Sequence, residues 1–195
     1  CTKGHRMTAS SLRKLAALFV SLSLFMTPLI LGAQPSDNAA EIYAQAAQRY
    51  DEALRGVKID IDPVVDAGRL DPGSDLAHRL VTHTEILALF EQATAAAKCD
   101  FSVLGTHRLD SGRYRPVPLF NLAKLYLAHA LATHISADER IRRFDRLFNF
   151  VRHLEGSDNL LGLMLGTAIE KLLARAGQAI GANGCPEPAF CQALA

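Results

Sequence analysis

Apolar residues recur three and four positions apart in five segments of the chain, the spacing that places them on one face of an α-helix. The first segment shows this most simply, with Ala39, Tyr43 and Ala46 in register and Ser36 or Asp37 as the N-terminal cap. The predicted helices cover about residues 38–55, 75–99, 118–135, 136–155 and 158–177.

Two of the predicted helix boundaries are specified by local chemistry. Ser136 and Glu139 have the spacing of a capping box, in which two side chains satisfy backbone amides reciprocally. Gly156 is placed to end the helix that begins there, and Ser157 or Asp158 to cap the next one. Short turns make consecutive helices antiparallel neighbours, so the sequence predicts an all-α fold of about five helices in antiparallel helical hairpins, tetratricopeptide-like or an irregular bundle.

The last predicted helix carries two glycines and several charges. Gly162 and Gly166 are four residues apart, which indicates close approach of another helix. Glu170, Lys171 and Arg175 follow on the same helix and argue against a membrane span.

Two long connections interrupt the helical pattern, at residues 56–73 and 100–117. Residues 58–62 of the first alternate like a strand, but they have no visible partner strand, and we expect the whole connection to be a loop.

The N-terminal segment has the order of a secretory signal peptide, with Arg13 and Lys14 followed by an uncharged apolar run and small residues up to Ala33. The sequence predicts residues 1–33 as upstream residues and signal peptide, 34–180 as a single helical domain, and 181–195 as a tail that contains Cys and Pro. We expect a periplasmic or extracellular protein. The alternative is an uncleaved leader that tethers the domain to a membrane.

Export to an oxidising compartment permits disulfides. Cys185 and Cys191 flank a short, proline-containing segment, and a local bridge between them is our first expectation, with a bridge from Cys99 to the tail as the competing arrangement. Otherwise Cys99 is expected to be a buried small apolar residue rather than a catalytic nucleophile, since no nucleophile signature surrounds it.

Charge excludes one class of partner. The whole chain has 21 basic and 20 acidic residues, and removal of the leader's four basic residues leaves 17 against 20, for a net charge of −3. Binding to a phosphate backbone requires a basic excess on one face, so we expect no nucleic-acid partner.

Histidine spacing argues against a metal site. His78 and His83 are five residues apart, as are His129 and His134, which turns each pair about 140° apart on an ideal helix. We interpret these residues as surface histidines or satisfied core histidines, and we expect no metal and no cofactor.

The second long connection contains the most suggestive polar cluster, which consists of Arg108, Arg113, Tyr114 and Arg115. Guanidinium groups bind carboxylates or phosphates in a bidentate manner, and tyrosine adds a stacking face. These residues are the candidate ligand-binding site. The alternative is a solvated loop whose arginines pair with acidic residues elsewhere in the fold.

Three short motifs resemble those of a group of uncharacterised secreted helical bacterial proteins. They are Asn38-Ala39-Ala40 in an early helix, Cys99-Asp100-Phe101 at a turn, and Arg152-His153-Leu154 in a later helical hairpin. The resemblance covers residues 38 to 175 loosely. It implies an exported α-helical domain and brings no activity or functional residue with it.

The chain shows no nucleophile elbow, phosphate-binding glycine loop or dinucleotide fingerprint, and no catalytic residue is assigned. We therefore expect a non-catalytic exported domain that binds a protein or peptide of the cell envelope. The alternatives are an enzyme or small-anion binder that uses the loop at 107–115, and a structural domain tethered by its leader.

Overall fold

The computed structural model describes residues 37–54, 56–57, 59–104, 115–157 and 159–183. Seven α-helices and one 3₁₀-helix make up most of this part of the chain, and it contains no β-strand. The fold is therefore all-α, as predicted. The helices are α1 (Ala39–Leu54), α2 (Asp62–Ala67), α3 (Asp75–Thr82), α4 (Thr84–Ala95), α5 (Pro116–Ala130), α6 (Ala137–Glu155) and α7 (Leu160–Ala182), with the 3₁₀-helix at Phe101–Leu104.

The described residues contain seven α-helices where the sequence predicts about five, and two differences explain the larger count. The expected loop at 56–73 contains α2, which begins with Pro63 in its first turn and ends at Gly68, whose φ of 60° is left-handed. The predicted second helix is divided at His83 into α3 and α4. The Thr82 hydroxyl donates a hydrogen bond to the carbonyl of His78 at 3.0 Å, the local pairing by which threonine weakens a helix interior.

The first and last helices do not begin at the predicted caps. The amide of Ala40 donates to the side-chain oxygen of Asn38 at 3.2 Å, so Asn38 caps α1 rather than Ser36 or Asp37. Helix α7 begins at Leu160 rather than near residue 158, because its cap is Asn159, whose side chain accepts from the amide of Gly162 at 2.6 Å, and not Ser157 or Asp158.

Ser136 accepts a hydrogen bond from the amide of Glu139 at 3.3 Å, but the Glu139 carboxylate pairs with Arg142 and Arg143 instead of the Ser136 amide, so only half of the predicted capping box forms. Ser74 accepts a hydrogen bond from the amide of Ala77 at 3.3 Å and caps α3.

An aromatic cluster forms the centre of the core. Tyr43 is fully buried and lies against Phe90, Phe101 and Phe150, with ring centroids 5.8, 6.0 and 4.6 Å away, while Tyr126 packs on Phe90 at 4.6 Å. Helix α1 packs against α4 and α5, and α6 packs against α4, α5 and α7. The cluster therefore joins four helices that are distant in the sequence.

Glycines allow α6 and α7 to approach closely, as the sequence predicts. A Cβ atom on Gly162 would lie 2.7 Å from the carbonyl oxygen of Leu154, and one on Gly166 would lie 3.2 Å from Cγ of Glu155. No helix in the described part of the chain has the length and apolar character needed to cross a membrane.

Asn38 connects the start of α1 to the turn that follows α4. Its side-chain amide donates to the carbonyl of Asp100 at 3.0 Å and its side-chain oxygen accepts from the amide of Asp100 at 2.8 Å. The amide of Ala39 also donates to the carbonyl of Lys98 at 2.9 Å. These bonds fix two segments that are 62 residues apart.

Candidate functional site

A cavity of about 490 Å³ lies between the segment around α3 and the end of α5. Its buried lining consists of Leu70, Leu80 and Ala132, each at most 5% exposed. His78, Val81, Thr84 and His134 are exposed lining residues and form its mouth, and Pro72, Ala77 and His129 complete the lining. The cavity thus has an apolar interior and a partly polar mouth.

Backbone contacts set the position of the two walls. The amide of Leu70 donates to the carbonyl of Leu131 at 2.8 Å, which holds the segment between α2 and α3 against the end of α5. Ser74 then starts α3, whose residues Ala77, His78 and Val81 line the cavity. The opposite wall comes from the last turn of α5 and the turn after it, through His129, Ala132 and His134.

His129 is the most buried of the three histidines. Its ring lies edge-on to Tyr126, with centroids 6.1 Å apart, and its Nδ1 atom is sealed from solvent without a hydrogen-bond partner among the described residues. Burial, together with the nearby Arg143 guanidinium, lowers the pKa of His129 to about 4. The imidazole is therefore neutral at pH 7.

Arg143 supplies positive charge behind this wall. Its Nη1 donates to the backbone carbonyl of His129 at 2.8 Å, and its Nε donates to Glu139 at 2.8 Å. Glu139 also accepts from Arg142 at 2.6 Å. Hydrogen bonds from Arg142 and Arg143 lower the pKa of the Glu139 carboxyl, so it stays ionised and holds both guanidinium groups in place.

The lining residues define what the cavity can do chemically. Apolar side chains offer van der Waals contact to a ligand, and three imidazoles and one hydroxyl offer hydrogen bonds. The described residues hold no group of three or more metal-ligating side chains that could bind a metal ion. These features make the cavity the candidate ligand site.

The sequence did not identify these histidines as a site. His129 and His134 are five residues apart, but α5 ends at Ala130, so His134 lies in the following turn and ideal-helix spacing does not describe the pair. His78 joins them only through packing of α3 on α5. A contact between segments about 50 residues apart leaves no local signal in the sequence.

Of the four residues of the predicted arginine site, only Arg115 lies in the described part of the chain. The guanidinium of Arg115 pairs with the carboxylate of Asp51 at 2.8 Å and links the start of α5 to α1. Arg108, Arg113 and Tyr114 lie outside the described residues, and their part in ligand binding stays a prediction.

Cys99 is a free, half-buried thiol. Burial, and to a smaller extent the neighbouring Asp100 carboxylate, raises the pKa of Cys99 to about 12. The thiol is therefore protonated at pH 7 and a poor nucleophile, in keeping with the expectation of a small apolar residue. Cys185 and Cys191 lie outside the described residues, so their bridge stays a prediction.

Two further polar pairs occur in the core and were not predicted. The Tyr43 hydroxyl lies 3.1 Å from Nδ1 of His153, and the Tyr126 hydroxyl donates to the Glu91 carboxylate at 2.9 Å. Both pairs are engaged within the protein. They stabilise the helix packing and leave the histidine-lined cavity as the better candidate site.

Comparison with known proteins gives no relative from which a function could be transferred. No protein-family model, no curated protein and no solved structure matches the chain. The candidate site therefore has to be interpreted from its own chemistry.

Proposed function

We propose that this protein is a non-catalytic binding domain and that the histidine-lined cavity between α3 and α5 is its ligand site. The observation that carries the proposal is the cavity itself, about 490 Å³ with buried leucines inside and histidines at its mouth. Ligand pockets in proteins are commonly roughly 300–1,000 Å³, largely apolar, with a few polar groups that set orientation.

The apolar lining supplies the driving force for binding. A ligand that buries roughly 200 Å² of apolar surface gains about 5 kcal/mol from the hydrophobic effect. Loss of translational and rotational freedom offsets much of this gain. Apolar contact alone therefore gives weak binding, and a useful affinity requires the polar groups at the mouth as well.

The cellular setting and finer architecture are part of the same proposal. The apolar leader supports an exported domain of the cell envelope, released by cleavage or tethered by the leader. The packing of α6 against both α5 and α7, across short connections, supports antiparallel hairpins in an irregular bundle. A bridge between Cys185 and Cys191 would close the tail in an oxidising compartment.

Filling the cavity tests the binding function. Ala77 lines the cavity, so Ala77→Phe places a ring inside it. Ala88 is exposed on α4 and is not a lining residue of this cavity, and Ala88→Phe is the matched control. The probe is the neutral dye N-phenyl-1-naphthylamine, whose fluorescence rises in apolar surroundings.

We expect saturable binding of one dye molecule by the wild type and by Ala88→Phe, and at least a tenfold loss of affinity in Ala77→Phe. Circular dichroism melting shows whether both variants remain folded. Equal dye binding by the two variants, or no saturable binding by the wild type, contradicts the proposal.

A further inference from the structure

We infer that the cavity selects a small apolar carboxylic acid, with the carboxylate among His78, His129 and His134 and the apolar body against Leu70, Leu80 and Ala132. This inference rests on the binding function proposed above, and it adds the chemical class of the ligand. Three observations carry it: the size of the cavity, the charge of its surroundings and the state of His129.

Size favours a free molecule over one side chain of a peptide. The volume of about 490 Å³ falls in the range that accommodates a whole small-molecule ligand. A single leucine or phenylalanine side chain would leave much of this space unfilled, and unfilled apolar space forfeits contact energy. A straight-chain or aromatic acid of roughly ten to fourteen non-hydrogen atoms fills it better.

Charge favours an anionic head group over a cationic one. No Asp, Glu, Lys or Arg is among the lining residues. Behind the wall, the Arg143 guanidinium donates a hydrogen bond to the His129 carbonyl. Glu139 is shared between Arg142 and Arg143, and at the His129 ring the Arg143 guanidinium acts more strongly than the Glu139 carboxylate. The potential at His129 is therefore positive, which attracts a carboxylate and repels an ammonium group.

His129 lines the cavity, and its Nε2–H is the donor available to a ligand there. Of its two nitrogens only Nδ1 is sealed and unpartnered, while Nε2 is neither sealed nor engaged in a hydrogen bond with a described residue. An orphaned buried N–H group is rarer than an orphaned acceptor, so the proton of the neutral ring belongs on Nε2. The ligand atom that meets it must be a hydrogen-bond acceptor, as carboxylate oxygens are.

The buried and exposed parts of the lining set the orientation. Leu70, Leu80 and Ala132 are buried, whereas His78 and His134 are exposed. An acid whose apolar end enters first keeps its carboxylate near the histidines and near water. A fully apolar ligand gives the Nε2–H of His129 no acceptor, and a protonated amine brings a second donor to it.

The test is displacement of N-phenyl-1-naphthylamine from the purified protein at pH 7.5 by nonanoic acid, 1-nonanol and nonylamine. The three probes share a nine-carbon body and differ in the head group. We expect the acid to bind about 10- to 100-fold more tightly than the alcohol or the amine, the size of a hydrogen-bonded charge contact.

Two variants locate the carboxylate. His129→Gln and the exposed His134→Gln should each lower the affinity for nonanoic acid at least threefold and leave that for nonanol unchanged. His134 is exposed, so its replacement tests the inference even if His129→Gln unfolds the protein. His83→Gln, a histidine outside the cavity lining, is the control and should change neither affinity.

Each outcome has a distinct meaning. Equal affinity for acid and alcohol overturns the carboxylate inference and leaves the binding function in place. No saturable binding of the dye or of any of the three probes overturns both. A peptide with a C-terminal phenylalanine carboxylate that binds more tightly than nonanoic acid, and more tightly than its own C-terminal amide, overturns the assignment to a free acid.

Discussion

The Tyr43 hydroxyl lies 3.1 Å from Nδ1 of His153, and this contact joins two helices across 110 residues of sequence. Tyr43 is fully buried at the centre of the aromatic cluster, so its hydroxyl has no access to bulk water. Burial also lowers the pKa of His153, which keeps the imidazole neutral at pH 7. Burial of two polar groups costs little free energy when both are neutral and hydrogen-bonded to each other.

Removal of the Tyr43 hydroxyl should destabilise the fold. Tyr43→Phe leaves the His153 nitrogen without its partner, and we expect the free energy of unfolding to fall by about 1–2 kcal/mol. The Tyr50 hydroxyl is buried without a partner among the described residues, so Tyr50→Phe should be neutral or stabilising. Urea unfolding of both variants measures the difference. Equal destabilisation by the two replacements would contradict this account.

Acid should destabilise the protein through His129. Its pKa falls from an ordinary value of 6.5 to about 4 in the fold, so the unfolded chain binds the proton first. The contribution of His129 to stability is therefore fully present above pH 6.5, is lost as the pH decreases towards 4, and does not change further below that value. Full burial would make the loss about 3 kcal/mol, and partial exposure of the ring reduces it to about 1–2 kcal/mol.

The measurement is urea unfolding at pH 7.5 and pH 4.5. His129→Gln should show a loss of stability about 1–2 kcal/mol smaller than the wild type, because it has no imidazole to protonate. His134→Gln, in the neighbouring turn, should retain the wild-type loss. His153, whose pKa is also lowered by burial, contributes equally in all three proteins. An unchanged pH dependence in His129→Gln would refute the prediction.

Gly68 should tolerate no side chain. Its φ is 60°, and a Cβ atom there would lie 2.8 Å from the backbone nitrogen of Ile180 on α7. Gly56 also has a left-handed φ, of 76°, but it faces open space. We expect Gly56→Ala to cost about 1 kcal/mol from backbone strain, and Gly68→Ala about 3 kcal/mol because overpacking adds to the strain. Thermal melting that ranks Gly56→Ala as the more harmful change would disprove the proposed contact.

Gly162 and Gly181 of α7 have ordinary helical backbone geometry, so their replacement by alanine compares packing alone. Gly162→Ala would bring a methyl group to 2.7 Å from the Leu154 carbonyl and into the cap formed by Asn159, and should cost about 2 kcal/mol. A methyl group at Gly181 would meet no atom within 4 Å, and Gly181→Ala should stabilise the helix by about 0.5 kcal/mol. Chemical denaturation distinguishes the signs. A stabilising Gly162→Ala would mean that α6 and α7 lie further apart.

The sequence was informative where structure depends on neighbours in the chain. Helix α6 follows from its apolar stripe, its Ser136 cap and its Gly156 stop, and the structure confirms all three. Helix α2 was missed because it has only six residues, too few to show periodicity. The break at His83 was missed because the apolar pattern continues across it.

The candidate site illustrates the limit of such reasoning. His78, His129 and His134 line one cavity because Leu70 bonds to Leu131 and thereby brings α3 to the end of α5. No local pattern around these histidines encodes that pairing of distant segments. Arg115 shows the opposite case. Its local chemistry predicts ligand binding, but its guanidinium pairs with Asp51, a residue distant in the sequence.

The bonds between Asn38 and Asp100 have a consequence for the order of assembly. Synthesis of the intervening 62 residues takes about 3 to 12 seconds at usual translation rates. During that interval α1 has neither its backbone anchor nor the phenylalanine rings that cover Tyr43. The nascent chain therefore cannot fix α1 in place until the segment around Asp100 has been synthesised. Delayed locking of this kind would keep the chain competent for translocation, which the proposed export requires.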